Sequence, residues 1–192
     1  DKAVEETDRL PAVCAALVAP LRATYALQDD RRFPAKASAV WADGAVAAVM
    51  AAAFKGVVVA DKPCAIKTHF GERDNTGYVS PAVVRRVTEY VKSAGGRPFV
   101  TDTNTLYRGR RSDAVSHLAQ ARDHGFSDEA LGAPVIIADG LMGTDQVAVP
   151  IVGGKHFEQI RVAAALHHAA SSIVVTHVKG HCQVGLGGAI KN

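Results

Sequence analysis

"SPAVVRRVTEYVKSAGGRPFVTDT", Ser80 to Thr103, decides how this chain is read. Ser80 is placed to cap a helix. Pro81 stands at the first helical position, where a missing N–H costs nothing. Apolar residues then recur at Val83, Val84, Val87, Tyr90, Val91 and Ala94, the spacing of one helical face, until Gly95 and Gly96 end it. The next residues, Arg97 to Thr103, read as a strand closing on polar side chains. A capped amphipathic helix running at once into a strand is the repeating unit of an α/β fold.

The same alternation extends in both directions. Upstream, "CAIKTHF" (Cys64 to Phe70) reads as a strand, "GAVAAVMAAAFKG" (Gly44 to Gly56) as a helix of small residues, and "ASAVWAD" (Ala37 to Asp43) as a first strand. Downstream, Ser112 caps a second helix with Ala114, Val115, Leu118 and Ala119 on one face and Gly125 at its end. "PVIIAD" (Pro134 to Asp139) is a strand, and "QVAVPIVGGKHFEQIRVA" (Gln146 to Ala163) a β-hairpin turning at Gly153 and Gly154. "AALHHAA" is a short helix and "SIVVTHV" (Ser172 to Val178) a last strand. These signals predict an α/β domain over residues 37–192, with a mainly parallel sheet, helices on both faces and the hairpin as an insertion. Segments 65–70, 98–103, 134–139 and 173–178 are expected in one sheet, with helices at 83–94 and 113–124. Residues 1–36 form an Ala-rich N-terminal extension, expected to be helical and broken at Pro20.

Composition narrows the function classes. The chain has 192 residues, 48 % of them hydrophobic, enough for one core of ordinary domain size. Lys and Arg number 22 against 19 Asp and Glu, a net charge of +3 without a long basic run, which argues against nucleic acid and is compatible with a small anion. The longest apolar run, Ala45 to Phe54, is far below the roughly 20 residues of a membrane span. Cys14, Cys64 and Cys182 are widely spaced with no C-x-x-C pair, so a zinc ribbon, a ferredoxin-type cluster and a disulfide framework are not expected, and a reducing cytoplasm fits best.

In open α/β sheets ligands bind beyond the carboxyl ends of the strands. The expected strands end in polar groups: Lys67, His69 and Glu72 after the first, Thr101, Asp102, Thr103 and Asn104 after the second, Asp139 after the third, His177, Lys179 and His181 after the last. Each has a plainer reading. Asp102 and Asn104 also suit turn caps, and His69 a buried, satisfied histidine. His177 and His181 are four apart, but on a strand-to-loop junction that spacing has no special geometry; with Cys182 they are the candidate metal ligands. His117, His124, His167 and His168 read as surface residues, and "YRGRR" (Tyr107 to Arg111) as a solvated cationic loop. The tail "GLGGAIKN" is neither G-x-G-x-x-G nor a Walker A sequence, yet the Gly187 and Gly188 backbone and Lys191 suit an anion, if the segment is not simply a surface loop.

Several strings taken in order, "IKTHFGE", "PFVTDTNTLYRGRRSDAVSHL", "HGFSDEALGAPVIIADGLMGTD", "GKHFEQIRVA" and "THVKGHCQVGLGGAIKN", resemble the domain-of-unknown-function family labelled "uncharacterised Fe-S center protein" over about residues 37–192. In that family the chain runs on past the glycine-rich stretch, commonly into a ferredoxin-like module. The resemblance therefore implies a chain truncated at its C-terminus, with iron-sulfur clusters only in the missing portion. The run from His181 through Gly187 and Gly188 to Lys191 is also similar to a loop of the lactate racemase family, where histidines and a lysine hold a nickel-pincer nucleotide.

The expected function is a redox-linked enzyme domain that binds a small anionic substrate or cofactor and exchanges electrons with a ferredoxin-like partner module. Lys67, Lys179 and Lys191 would hold the anion, and Asp102 and His181 would transfer protons. Two other classes stand beside it: a metal- or metallocofactor-dependent isomerase, and a non-catalytic iron-sulfur carrier or assembly protein.

Overall fold

A computed structural model describes residues 50, 54–153, 155–176, 179–181 and 185–188. The expected extension 1–36 and the expected strand 37–43 lie outside the described residues. The chain divides into two compact units between Val57 and Val58. In the first, Met50 is helical and its carbonyl accepts from the Phe54 N–H at 3.0 Å.

The second unit is built on a four-stranded sheet of β1 (Pro63–Lys67), β2 (Arg97–Asp102), β3 (Val135–Ile137) and β6 (Ser171–Val174), in the order β3-β2-β1-β6, every neighbour pair parallel. All four segments expected in one sheet are there, each strand ending one to four residues earlier than read. Between β1 and β2 runs α1 (Pro81–Ser93); between β2 and β3 run α2 (Ala114–Asp123) and the single turn α3 (Asp128–Leu131). The antiparallel hairpin β4 (Gln146–Pro150) and β5 (Gln159–Ala163) makes its own two-stranded sheet, followed by α4 (Ala164–His168).

Helix α1 begins as its sequence dictates. The Ser80 hydroxyl accepts from the Ala82 N–H at 3.3 Å, and Pro81 follows. Val84, Val87, Thr88 and Val91 are its buried face against β1 and β2. They join Ile66, Val100, Phe70, Phe126, Leu131 and Ile173 in the core. Helix α2 departs from expectation twice. Its N-cap is Asp113, one residue later than Ser112, with the carboxylate accepting from the Ser116 N–H at 2.9 Å. Its buried face is His117, Gln120 and Ala121, while Val115 points to solvent.

Topology fixes where a site belongs. The chain moves from β1 out to β2 and β3, then returns to the other side of β1 as β6. The strand order reverses at β1/β6, and crevices at such switch points open beyond the strand carboxyl ends. Lys67 and Val174 are register partners there, and the Val175 N–H donates to the Lys67 carbonyl at 2.8 Å. Beyond β6 the glycine-rich tail is not a plain loop: β7 (Lys179–His181) and β8 (Gly185–Gly187) pair antiparallel, with Lys179 opposite Gly187. Among the described residues no helix is long and apolar enough to cross a membrane.

Candidate functional site

Asp102, the last residue of β2, is the centre. Its Oδ1 accepts from Lys67 Nζ and from the Thr103 N–H, both at 2.8 Å. Its Oδ2 accepts from Arg111 Nη2 at 2.9 Å and from the Phe70 N–H at 3.2 Å. The carboxylate thus fastens together the ends of β1 and β2 and the loop leading to α2. Lys67, Asp102, Arg111 and His117 are 3 %, 1 %, 5 % and 0 % exposed, so these charges are out of water and stand only because they are paired and hydrogen-bonded. Burial pushes the Asp102 carboxyl up. Against it act the charges of Lys67 and Arg111, and they hold it far below the usual carboxylate range. Asp102 is therefore held as an anion that anchors this network.

Arg111 ties the rest together. The loop is pinned where the Thr105 N–H meets the Arg111 carbonyl at 2.8 Å. The guanidinium gives Nε to His117 Nε2 at 3.1 Å, Nη2 to Asp102, and Nη1 to Glu72. The His117 tautomer follows from its other side. Asn104 Nδ2 donates to Asp139 Oδ1 at 3.2 Å and to the Gly140 carbonyl at 2.9 Å, so its Oδ1 is turned to His117 Nδ1 at 3.3 Å. Nδ1 then carries the proton, and the Nε2 lone pair faces Arg111. Asp139 in turn accepts from the Asn104 N–H at 3.0 and 3.1 Å.

Toward solvent, the half-buried Glu72 accepts from Arg111 Nη1 and from the Tyr107 hydroxyl. Burial alone would raise its carboxyl; the Tyr107 hydrogen bond and the Arg111 charge outweigh it and keep it below the ordinary value. Burial and the Glu72 carboxylate push the Tyr107 phenol up. His69, also half-buried, accepts at Nδ1 from the Gly71 N–H at 2.7 Å and lies with Nε2 3.1 Å from Arg111 Nη1. Beneath this rim, Tyr78 stacks on His124, with ring centroids 4.5 Å apart, and His124 Nδ1 is 2.8 Å from the Phe70 carbonyl.

Gly71 makes the rim possible. It has φ +90, and a Cβ there would lie 2.5 Å from Tyr78 Cδ1 and 2.7 Å from His124 Nδ1. Gly71→Ala combines left-handed strain with overpacking and is expected to cost about 2–4 kcal/mol, read as a lower urea midpoint at unchanged slope. A midpoint equal to that of the parent chain would mean that the loop is free to move away from both rings.

Of the candidate residues, Lys67, His69, Glu72, Asp102, Thr103 and Asn104 meet in this network, and Thr101, fully buried, donates its hydroxyl to the Asp102 carbonyl at 3.2 Å. Lys179 and His181 belong to β7, Gly187 to β8, and Gly188 follows it; the side chains of Lys179 and His181 are not among those described. His177, Cys182 and Lys191 lie outside the described residues. Two expectations are corrected. "YRGRR" is not simply a solvated loop, because Arg111 is buried at the centre of the site. His117 and His124 are not surface residues: the first is fully buried and the second half-buried, while His167 and His168 are exposed as read. The missed signal was a polar stripe at three- and four-residue spacing, His117 and Gln120 on α2 and His124 at its C-cap. Cys64 is buried in β1, and burial pushes its thiol up, away from thiolate chemistry. Among the described residues no group of three His, Cys, Asp or Glu side chains is arranged to hold a metal ion.

A parallel sheet with a charged, hydrogen-bonded network at its strand carboxyl ends defines an α/β domain of the kind that carries its site at that edge. The chain belongs to the family described as Domain of unknown function (DUF362), whose model matches residues 64–192. The match begins inside β1, later than the start near residue 37 expected from sequence. No curated protein and no solved structure matches the chain.

Proposed function

We propose that this domain binds a small anionic substrate or cofactor at the carboxyl edge of its sheet, as the ligand-binding part of a redox-linked enzyme. The observation that carries the anion is the sharing of one carboxylate, Asp102, by two buried cations, Lys67 and Arg111. They place two cationic side chains at the carboxyl edge of the sheet, where the crevices of open α/β folds form. The redox link rests on the resemblance of the chain's strings to the iron-sulfur family. In this reading Asp102 fixes Lys67 and Arg111 in place, and proton transfer falls to the histidines, His69 at the rim and His181 on β7.

Thr68 gives a way to test the site. It follows β1 at the switch point, is fully buried, and its hydroxyl has no hydrogen-bond partner among the described residues. A buried, unsatisfied hydroxyl costs stability and is explained by a ligand that completes it. Thr68→Val keeps the shape and removes the hydroxyl. The expected result is an unchanged or higher melting temperature together with about tenfold weaker binding of acetate or inorganic phosphate by calorimetry. Unchanged affinity, or a melting temperature lower by several degrees, would count against the crevice at β1/β6.

A further inference from the structure

Leu106 to Arg110 arch out between Thr105 and Arg111. The neck of the arch is closed where the Thr105 N–H donates to the Arg111 carbonyl at 2.8 Å. Its shape is set from its own two feet. The Thr105 hydroxyl donates to the Tyr107 carbonyl at 3.0 Å, and the Ser112 hydroxyl and N–H donate to the Gly109 carbonyl at 2.8 and 3.3 Å.

The arch has little packing to hold it down. Leu106 and Tyr107 are 105 % and 57 % exposed, and a Cβ on Gly109 would meet no atom within 4 Å. Among the described residues, two polar contacts tie the arch to other parts of the domain. The Tyr107 hydroxyl donates to the Glu72 carboxylate, on the loop after β1, and Arg110 pairs with Asp123, the last residue of α2, at 2.7 Å. An exposed ion pair stabilises little. The hydrogen bond to a carboxylate is the stronger of the two.

Glu72 also accepts from Arg111 Nη1, so Tyr107 lies on the solvent side of the same carboxylate that faces the buried network. Arg111 has its own anchors, Nε on His117 and Nη2 on Asp102. Tyr107 can therefore leave Glu72 while Arg111 stays in place. Parting one or two surface contacts costs far less than unfolding the sheet, the condition for a local opening.

We propose that Leu106–Arg110 is a flap latched by Tyr107 on Glu72, and that it opens as a unit, with the sheet intact, to uncover the Glu72–Arg111 edge of the network. This goes beyond the anion reading above and does not depend on it: the flap opens whether or not an anion binds.

The test is hydrogen exchange on the full chain and on Tyr107→Phe, which keeps the ring and removes the hydroxyl. The Ser112 N–H, bonded within the arch, reports opening; the Val100 N–H, which donates to the Pro134 carbonyl at 2.8 Å, reports the sheet. Ser112 is expected to exchange about fivefold faster in the variant, and Val100 within about twofold of the parent. Trypsin cleavage after the exposed Arg108 should quicken by a similar factor, because cleavage follows the population of the open form. Glu72→Ala, which alters no residue beside that bond, should quicken it at least as much. Arg110→Gln should change either rate less than about twofold. Rates in Tyr107→Phe within about 1.5-fold of the parent would mean that there is no latch. Val100 quickening as much as Ser112 would mean that the opening is unfolding of the domain. A larger effect from Arg110→Gln than from Tyr107→Phe would move the fastening to Asp123, and exchange of Ser112 in the parent as fast as in an unstructured peptide would mean that the flap is never closed; each overturns the proposal.

Discussion

Asp102→Asn is expected to destabilise the chain by about 3–5 kcal/mol, a large part of the roughly 5–15 kcal/mol that holds a domain folded. The shape is preserved, so packing is not the cause. Asp102 accepts four hydrogen bonds and donates none. An asparagine must turn its NH₂ toward either Lys67 and the Thr103 N–H or Arg111 and the Phe70 N–H, leaving two donors opposite a third. Lys67 and Arg111 would then be buried without a shared counter-charge.

The same substitution changes the acid limb of stability. The folded-state pKa of Asp102 lies far below its value in the unfolded chain, near 3.9. Its contribution is complete above that unfolded value and is lost as pH falls toward the folded one, because only the unfolded state takes up the proton. Between about pH 4 and pH 2 the parent chain should lose stability more steeply than Asp102→Asn. The check is urea unfolding at pH 7, 4 and 3. Equal slopes in the two proteins, or a loss at pH 7 below about 1 kcal/mol, would show that the carboxylate is not the anchor.

The sheet was legible because its elements obey short-range rules. Ser80, Pro81 and the valine period define α1, and the polar closings of β1, β2 and β3 place Lys67, Asp102 and Asp139 at one edge. Arg111 and His117 were hidden for a physical reason. Hydrophobic periodicity finds buried faces by their apolar side chains, and here the buried face of α2 is polar. Val115 and the alanines around it suggested the wrong side, because Ala is indifferent to burial and Val115 is 70 % exposed. Arg111 lies in a loop after Gly109, where no period exists to betray burial; only the geometry of Asp102 calls it inward. The pairing of β7 with β8 was also unreadable, since Gly180, Gly185 and Gly187 carry no strand preference and register there is set by the backbone.

Arg111→Lys separates the two things this residue supplies, charge and shape. Lysine keeps the positive charge and a similar stem. It cannot reproduce a planar fork that meets His117 Nε2, Asp102 Oδ2 and the Glu72 carboxylate in three directions at once. An ammonium that stays on Asp102 leaves the His117 lone pair without its donor in a fully buried position and releases Glu72 to solvent. Hydrogen bonds to charged groups contribute about 1.5–3 kcal/mol each, so the loss is expected to be about 3 kcal/mol. Arg111→Met, which removes the charge as well, should be worse, because Asp102 then keeps only Lys67 as a cationic partner. Urea unfolding of both variants measures the order. If Arg111→Lys lies within about 0.5 kcal/mol of the parent, charge alone suffices and the fork has no structural part. If it loses about 3 kcal/mol and its acetate affinity falls as well, one guanidinium both braces the strand ends and meets the ligand.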